Sequence, residues 1–207
     1  MQYIFIEPLS MVGLFVFFVT FSIVLVYLAF LFLKRARIAM LKRTPIAIIT
    51  GFPNSGKSVI LKELCNNNME GFDNILNVSY GDIVHDGVVK LKMLGHQGFF
   101  SKDGRIDGKS IYDLMKLGPK YLINVLDVSP FSDPIEKQIE FGDFLKNKFK
   151  MKRFLVVANK VDGNSKEKLR KIERKFGKKF YKIGLNKPAD VNKLRNDLLH
   201  LLTHREH

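Results

Sequence analysis

Hydrophobic positions along this chain form two kinds of pattern. Residues 11–33 are 23 consecutive residues without a charge, whereas the apolar residues beyond them recur in short runs and in helical stripes. An uncharged stretch of about 20 residues is long enough to cross the hydrocarbon core of a bilayer as one helix. Short buried strands that alternate with amphipathic helices are typical of an α/β domain. The pattern therefore predicts one transmembrane helix at residues 11–33, followed by a single α/β domain.

The charges beside the apolar segment predict its orientation. The first 33 residues contain no Lys or Arg, whereas five basic residues follow directly, at Lys34, Arg35, Arg37, Lys42 and Arg43. Positive charge is retained on the cytoplasmic side of a membrane, so residues 1–10 are expected to be a short non-cytoplasmic N-terminus. A cleaved signal peptide would need a basic start and a small-residue cleavage site, and this segment has neither. Residues 34–43 are interpreted as a basic juxtamembrane linker that continues the helix, lies on anionic headgroups, or is a plain connection.

A glycine-rich motif lies between a predicted strand and a predicted helix. Residues 45–50 are a short apolar run of the kind that forms a buried parallel strand. The next eight residues, 51–58, match G-x-x-x-x-G-K-[ST] in full, a motif whose backbone amides surround a polyphosphate. Lys57 is expected to reach the β- and γ-phosphates, and Ser58 to give its hydroxyl to Mg²⁺. The predicted nucleotide-binding residues here are Gly51, Asn54, Ser55, Gly56, Lys57, Ser58 and Val59.

A second motif predicts which base the site accepts. Residues 154–158 form another buried-strand pattern, which ends in Asn159, Lys160, Val161 and Asp162. This N-K-x-D sequence resembles the guanine motif of small GTPases, in which the Asp accepts two hydrogen bonds from guanine. Adenine lacks that donor pair, so the carboxylate would remain desolvated and unpaired at a cost of ~1–3 kcal/mol. We predict that Asp162 selects guanine, that Lys160 lies along the base, and that Asn159 ties this loop to the phosphate loop.

Residues 44–203 resemble the Ras-like GTPase superfamily in the order of their motifs. After the phosphate loop and its helix come a hairpin that turns at His85, Asp86 and Gly87, a strand at 121–128, a helix, the strand before Asp162, a basic helix, a strand at 179–183 and a terminal helix. The resemblance implies a GTPase domain over residues 44–207, with about six strands in a mixed sheet, one antiparallel edge and flanking helices. It implies GTP or GDP and Mg²⁺ as cofactors. It also places Leu185 at the position of a loop that contacts guanine.

A transmembrane helix joined to such a domain is similar to the β subunit of the signal recognition particle receptor. Residues 118–145 have the strand, aspartate and acidic-apolar helix of that group and of the related Arf family. The resemblance implies a GTP-dependent docking subunit in co-translational protein targeting, with a soluble receptor α subunit bound at the switch surface. It implies the endoplasmic reticulum membrane of a eukaryote or the plasma membrane of a prokaryote. The alternatives are a non-hydrolysing nucleotide-bound scaffold, another Arf-like membrane GTPase, or an ATPase or kinase that shares only the phosphate loop.

The chain departs from the superfamily where hydrolysis is controlled. The Asp of the usual D-x-x-G motif is replaced by Lys92 or by Gly95, depending on which glycine is aligned. By resemblance, His96 orients the attacking water, with Gln97 as the second candidate. The stretch between Asn66 and Gly81 has no Thr for the first switch, and Asn74 takes its approximate place. Because hydrolysis depends on positioning and charge neutralisation at the γ-phosphate, we predict very slow intrinsic turnover.

The overall charge favours acidic partners. The formal net charge is +14, and a field of that sign attracts lipid headgroups or RNA; no DNA partner is expected. Much of this charge lies in the predicted helix at residues 165–179, which has an apolar face formed by Leu169, Ile172 and Phe176. We interpret it as a solvated amphipathic helix, with contact to anionic lipid, RNA or the ribosome as the alternative. The single cysteine, Cys65, is expected to be a buried helical residue.

Overall fold

The computed structural model describes residues 8–41, 43–66, 69–73, 78–96, 108–184 and 187–203. The chain divides into two compact units, Met1–Met40 and Leu41–His207. The helices are α1 (Pro8–Leu41), α2 (Lys57–Leu64), α3 (Gly108–Met115), α4 (Ile135–Lys148), α5 (Lys166–Phe176) and α6 (Pro188–Thr203). The strands are β1 (Ile46–Gly51), β2 (Met69–Asp73), β3 (Val78–His85), β4 (Val88–His96), β5 (Tyr121–Asp127), β6 (Phe154–Val161) and β7 (Tyr181–Gly184).

Helix α1 includes the whole predicted membrane segment and extends beyond it. It is 34 residues long, and the part from Val12 to Ala39 is long and apolar enough to cross a membrane. Its large apolar side chains are exposed, such as Phe15 at 69% and Val26 at 71%, so it is not packed into a protein core. Of the three alternatives for residues 34–43, the structure shows the helical continuation as far as Leu41.

The second unit is a mixed sheet of seven strands in the order β2-β3-β4-β1-β5-β6-β7. Strands β4, β1, β5, β6 and β7 are parallel, and the β3–β4 hairpin is antiparallel as predicted. The expectation of about six strands omitted β2, which pairs with the outer side of β3. The antiparallel strand is therefore second from the edge. The five residues of β2 include Glu70, Gly71 and Asp73, which give no strand pattern, so this strand depends on the partner that β3 provides.

Helix α3 was also missed by the sequence analysis. It has only eight residues, and it follows a stretch without periodicity. The sequence therefore shows neither a capping residue nor a long apolar stripe that would predict this helix. Its Ile111 and Leu114 are nevertheless buried at 2% and 1% exposure. These two residues are three apart and lie on the same face of the helix, and packing of that face stabilises a helix too short to form alone.

Apolar side chains fill both faces of the sheet. On one face, α2 and α6 cover residues such as Ile49, Met93 and Ile123, and Cys65 is buried among them as expected. On the other face, α4 and α5 cover residues such as Leu126 and Val156. The predicted apolar face of α5 is confirmed, because Ile172 is fully buried and Leu169 and Phe176 pack beside it. These layers hold the carboxyl ends of β1, β5 and β6 next to one another.

Candidate nucleotide-binding site

The phosphate loop leaves the carboxyl end of β1 and enters α2. Both of its motif glycines have positive φ, +145° at Gly51 and +89° at Gly56. Residues that carry a side chain rarely adopt these backbone conformations. A Cβ on Gly51 would meet the carbonyl oxygen of Val125 in β5, and one on Gly56 would meet the side-chain amide of Asn159 in β6. The motif therefore needs glycine at these positions because two neighbouring strands press against the loop.

Lys57 is held inside this loop. It is the first residue of α2, its side chain is 7% exposed, and its Nζ donates a hydrogen bond of 2.5 Å to the carbonyl oxygen of Phe52. Burial lowers the pKa of Lys57 from 10.5 to about 8. A phosphate group would supply the negative charge that stabilises the ammonium form. Lys57 is therefore arranged to meet an anion at the start of α2.

The next two residues of α2 are exposed on the open side of the loop. Ser58 presents its hydroxyl at the N-terminus of the helix, and Val59 is 65% exposed. Among the described residues there is no group of three or more His, Cys, Asp and Glu that could hold a metal ion. The Ser58 hydroxyl fits a Mg²⁺ ion that takes its other ligands from phosphate oxygens and water, which is the usual manner for this ion.

The guanine motif lies directly beside the phosphate loop. Strands β5 and β6 are in parallel register, with Asp127 opposite Asn159. The Asn159 side-chain amide donates a buried hydrogen bond of 2.8 Å to the carbonyl oxygen of Ser55. The predicted tie between the two motifs is therefore present, across 104 residues of sequence.

Lys160 is fixed by two acceptors. Its Nζ donates to the carbonyl oxygen of Asn54 at 2.7 Å and to Oδ2 of Asp127 at 2.6 Å. Burial of Asp127 acts to raise the pKa of its carboxyl, but hydrogen bonds from Lys160 and Ser129 outweigh burial, and the pKa is lowered. Asp127 therefore carries a charge that holds Lys160 across the loop.

The role of Asp127 was not identified from the sequence, which used it only as part of a family-like segment. Its backbone is fixed by the fully buried Gln138 of α4: Gln138 Oε1 accepts from the Asp127 N–H at 2.7 Å, and Nε2 donates to the Asp127 carbonyl oxygen at 3.1 Å. The available signal was an aspartate that ends a buried strand, since neighbouring parallel strands end at the same edge of a sheet.

Asp162 is oriented by its own loop. Its Oδ1 accepts hydrogen bonds from the backbone N–H of Asn164 at 2.9 Å and from the hydroxyl of Ser165 at 2.8 Å. Ser165 is fully buried. Within the described part of the chain, Oδ2 of Asp162 accepts no hydrogen bond. The carboxylate is thus positioned by one oxygen and can accept from a ligand through the other.

A cavity of about 510 Å³ opens between these motifs. Its lining includes Gly56, Val59, Asn159, Lys160 and Gly184. Lys160 and Val59 are the nonpolar surfaces available to a planar base, and the cavity continues from the phosphate loop toward the end of β7. Leu185, the proposed base contact from β7, lies outside the described residues. The cavity therefore lies beside the end of the phosphate loop and beside Asn159 and Lys160 of the guanine motif, at one edge of the sheet.

The structure distinguishes between the two residues that the sequence aligns with the missing Asp of the D-x-x-G motif. Lys92 lies opposite Ile46 at the start of β1, five residues and about 16 Å before the phosphate loop. There it forms ion pairs with Asp82 at 2.9 Å and Glu70 at 3.3 Å. The alignment with Lys92 at the metal is therefore wrong, because the sheet register places Lys92 in the middle of β4, opposite the start of β1 and away from the phosphate loop.

The other hydrolysis residues are only partly described. Gly95 lies opposite Ile49, and a Cβ there would be 2.8 Å from Leu61 of α2, so this glycine permits close packing of helix on sheet. His96 ends β4 and is 1% exposed; its role in orienting water stays a prediction. Gln97 and Asn74 lie outside the described residues.

The sequence analysis also missed a buried polar pair below the phosphate loop. Thr50 of β1 and Asn124 of β5 are opposite each other in the sheet, and both are fully buried. The Thr50 hydroxyl and the side-chain amide nitrogen and oxygen of Asn124 have no hydrogen-bond partner among the described residues. Polar atoms buried in this way are usually satisfied by water or by a further group.

Comparison with solved structures identifies the fold. The chain is similar to nucleolar GTP-binding protein 1 of Plasmodium falciparum, with a TM-score of 0.56 and 18% identity over 77% of this chain and 86% of that one. It is similar to the FeoB G-domain of Methanococcus jannaschii, with a TM-score of 0.53 and 20% identity over 78% and 98%. It is also similar to a GDP-bound S. thermophilus NFeoB variant, with a TM-score of 0.53 and 16% identity over 76% and 62%.

These similarities define the class of the second unit: it has the G-domain fold of the P-loop GTPases. Comparisons with known protein families and with curated proteins find no match.

Proposed function

We propose that this chain is a membrane-anchored guanine-nucleotide-binding protein. The observation that carries the proposal is the oriented Asp162 carboxylate, whose Oδ1 is held by Asn164 and Ser165 at the end of the strand that Asn159 ties to the phosphate loop. Two N–H donors on one edge of guanine match a carboxylate of this kind, whereas adenine offers it no such pair. The GDP bound by one protein of similar fold supports the same reading.

The test is nucleotide selectivity in the full chain, purified in detergent. GDP and GTP should bind at least ~100-fold more tightly than ATP, a difference of ~2.7 kcal/mol. Asp162→Asn should erase that preference, because an amide cannot accept from both guanine donors. The same variant should gain affinity for xanthosine diphosphate, since xanthine presents an acceptor where guanine has its amine, and the new amide can donate to it. Tighter binding of ATP than of GTP by the unaltered chain would refute the guanine assignment.

The membrane part of the proposal depends on α1. A helix of this length whose large apolar side chains are exposed is stable when lipid surrounds it, and the basic residues that follow it favour a cytoplasmic G domain. The chain should resist alkaline extraction from membranes, and a protease added from the cytoplasmic side should digest the second unit. Release at alkaline pH would contradict the anchor without affecting the nucleotide assignment.

More specifically, we propose a docking or assembly subunit like the receptor β subunit of co-translational protein targeting. A soluble partner, by resemblance the receptor α subunit, would bind the switch surface when GTP orders it. This step rests on the sequence architecture. It predicts that a cytosolic partner co-purifies with the chain in the GTP-bound state and dissociates on exchange to GDP.

A non-hydrolysing scaffold is the second candidate. The observation that favours it is Gly95, which lies opposite Ile49 near the phosphate loop and leaves the position of the metal-binding aspartate without a carboxylate. Loss of the aspartate that helps hold Mg²⁺ removes charge neutralisation at the γ-phosphate. Single-turnover measurement with bound GTP separates the two candidates, because a scaffold would retain GTP unhydrolysed and a switch would convert it when the partner or an activator is present.

A further inference from the structure

The loops at the amino end of the parallel strands are unusually basic. Four described loops lead into β1, β5, β6 and β7, at residues 43–45, 116–120, 149–153 and 177–180. They contain no Asp or Glu. Their basic residues are Arg43, Lys116, Lys120, Lys150, Lys152, Arg153, Lys178 and Lys179. Acidic residues lie beside these loops: Asp86 in the β3–β4 turn, next to His85, Asp113 of α3, next to Lys116, and Asp197 of α6, which lines a cavity with Lys178 and Lys179. We call the four loops the amino-end surface.

These side chains form a continuous groove. A cavity of about 410 Å³ is lined by Lys120, Lys150, Lys152 and Arg153. An adjoining cavity of about 340 Å³ is lined by Arg43 and by the same Lys120. All but Arg153 are exposed. The groove therefore collects five cations and, among the residues that the structure describes, no carboxylate.

The basic helix α5 differs from this surface in how its charges are used. Lys171 pairs with Glu136 and Glu167, and Lys175 pairs with Asp143. Lys168 donates to the carbonyl oxygen of Ser129. Three of the lysines of α5 thus have acidic or carbonyl partners within the domain. At the amino-end surface, Lys116 pairs with Asp113 at 3.6 Å and Arg153 donates to the Tyr121 hydroxyl at 2.7 Å, whereas Lys150 and Lys152 form no ion pair with any described residue.

Chain connectivity brings this surface to the membrane. Residues 34–41 continue α1 beyond the predicted membrane segment by about 12 Å. The four residues between Leu41 and Ile46 add at most about 14 Å when extended, so β1 begins within about 26 Å of the leaflet. Loop 43–45 is part of both the connection and the amino-end surface. A tether this short holds the surface at a high effective concentration against the leaflet from which α1 emerges. RNA would gain no such advantage.

We propose that the amino-end surface binds anionic phospholipid headgroups and docks the G domain on the membrane, with the nucleotide site at the far end of the sheet. This rests on the membrane anchor in the proposed function. Each Lys or Arg near an anionic leaflet strengthens attachment about fivefold. Neutralising three residues of the groove should therefore change the ratio of docked to undocked domain about 100-fold.

The experiment uses the full chain in nanodiscs of phosphatidylcholine alone or mixed with phosphatidylserine. A fluorophore is placed at Asn147→Cys, an exposed position at the end of α4 beside loop 149–153, or at Asn164→Cys, an exposed position at the opposite end of the sheet. The native Cys65 should not react, because it is 2% exposed and burial raises its pKa to about 12. Lipids with a nitroxide headgroup then quench whichever label lies against the leaflet.

The label at residue 147 should be quenched in the phosphatidylserine discs and much less in neutral discs, and the label at residue 164 in neither. The triple variant K120Q/K150Q/K152Q should lose the quenching. A control variant with the same charge removed from α5, K166Q/R170Q/R174Q, should keep it. Higher salt should release the domain while α1 stays inserted, since screening weakens surface charge interactions and not hydrophobic insertion.

Equal quenching in the two kinds of disc, or an equal loss in both variants, would overturn lipid docking and leave the anchor and the nucleotide assignment standing. A second result would also overturn lipid docking. If the unaltered chain in neutral discs bound polyuridylate and K120Q/K150Q/K152Q did not, the amino-end surface would be an RNA-binding surface. A chain that alkaline treatment extracts from the membrane overturns the anchor and the docking together.

Discussion

The two ends of the parallel strands differ in charge and in how they would meet an anion. The loops that leave β1, β5 and β6, at residues 52–56, 128–134 and 162–165, contain Asp133 and Asp162 and no Lys or Arg. The four loops of the amino-end surface have only the opposite charge. The predicted phosphate site therefore lies among three loops without Lys or Arg, and Lys187, which follows β7, lines the adjoining cavity. The phosphate site depends on glycine geometry, backbone amides and the one buried Lys57, whereas the net charge of +14 is concentrated elsewhere.

This difference shows that a positive net charge and a phosphate site are separate properties of a chain. A polyphosphate needs donors at fixed positions, which a helix N-terminus supplies without a long-range field. A membrane surface has no fixed geometry, and exposed Lys and Arg suit it. Strands of six to eight residues keep the two ends about 20 Å apart.

The largest expected effect is a loss of GDP binding when the backbone of the phosphate loop is altered at the carboxyl end of the parallel strands. Gly56→Ala should abolish GDP binding, a loss of ~100-fold or more, because the new Cβ meets Asn159 and the residue has a φ of +89°. Gly118→Ala is the matched control, since Gly118 also has positive φ, +68°, but open space around it, and it lies at the amino end. It should lose ~1–2 kcal/mol of stability from its left-handed conformation and keep its GDP affinity. Calorimetric titration and thermal unfolding of both variants make the comparison.

The second effect concerns the acid that fixes Lys160. Asp127→Asn should lower GDP affinity about tenfold, ~1.4 kcal/mol, because Lys160 would lose its charged partner at 2.6 Å and would have to be ordered by the ligand. The control is Asp133→Asn, an exposed residue of the same loop whose carboxylate is not among the acceptors of Lys160. If both variants bind GDP equally well, Asp127 has no part in positioning the base.

The third effect is pH dependence from Lys57. The pKa of this residue is lowered by burial to about 8 in the nucleotide-free protein, whereas a bound phosphate favours the protonated form. Nucleotide binding near pH 8 should therefore take up about half a proton, and affinity should fall by up to ~tenfold per unit above that pH. The unfolded chain keeps this proton up to its ordinary pKa of 10.5, so the empty protein gains stability between the two values. Calorimetry in two buffers of different ionisation enthalpy measures the uptake, and zero uptake would contradict the role of Lys57.

The smallest effect is the one expected at the amino end. K120Q/K150Q/K152Q should change GDP affinity by less than about twofold at physiological salt, because the separation of the ends exceeds a Debye length of about 8 Å. The same variant is expected to release the domain from anionic membranes. A parallel loss of nucleotide affinity, measured in detergent where no lipid surface is present, would mean that the two ends are coupled through the sheet.

Much of the fold follows from local patterns. The uncharged run predicts α1, the β3–β4 turn follows from Asp86 and Gly87, and short apolar runs predict β1, β5 and β6. Strand β2 and helix α3 could not be found in this way, since Glu70 and Gly71 are poor strand residues and α3 has eight residues. Both depend on neighbours that the chain provides far away in sequence, β3 for the strand and the core around Ile111 for the helix.

The candidate site likewise has features that local sequence patterns predict and features that only the tertiary structure reveals. By itself the sequence determined the phosphate loop and the guanine motif, because each is a short run of residues whose chemistry depends on local spacing. Only the tertiary structure decided that Asp127 holds Lys160, that Lys92 lies opposite the start of β1 and away from the phosphate loop, and that the basic loops gather at the opposite edge from the nucleotide site. These properties arise from sheet register and from the ends at which parallel strands start and stop, and a register joins residues as distant in sequence as Ala47 and Tyr121, beyond the reach of any local pattern.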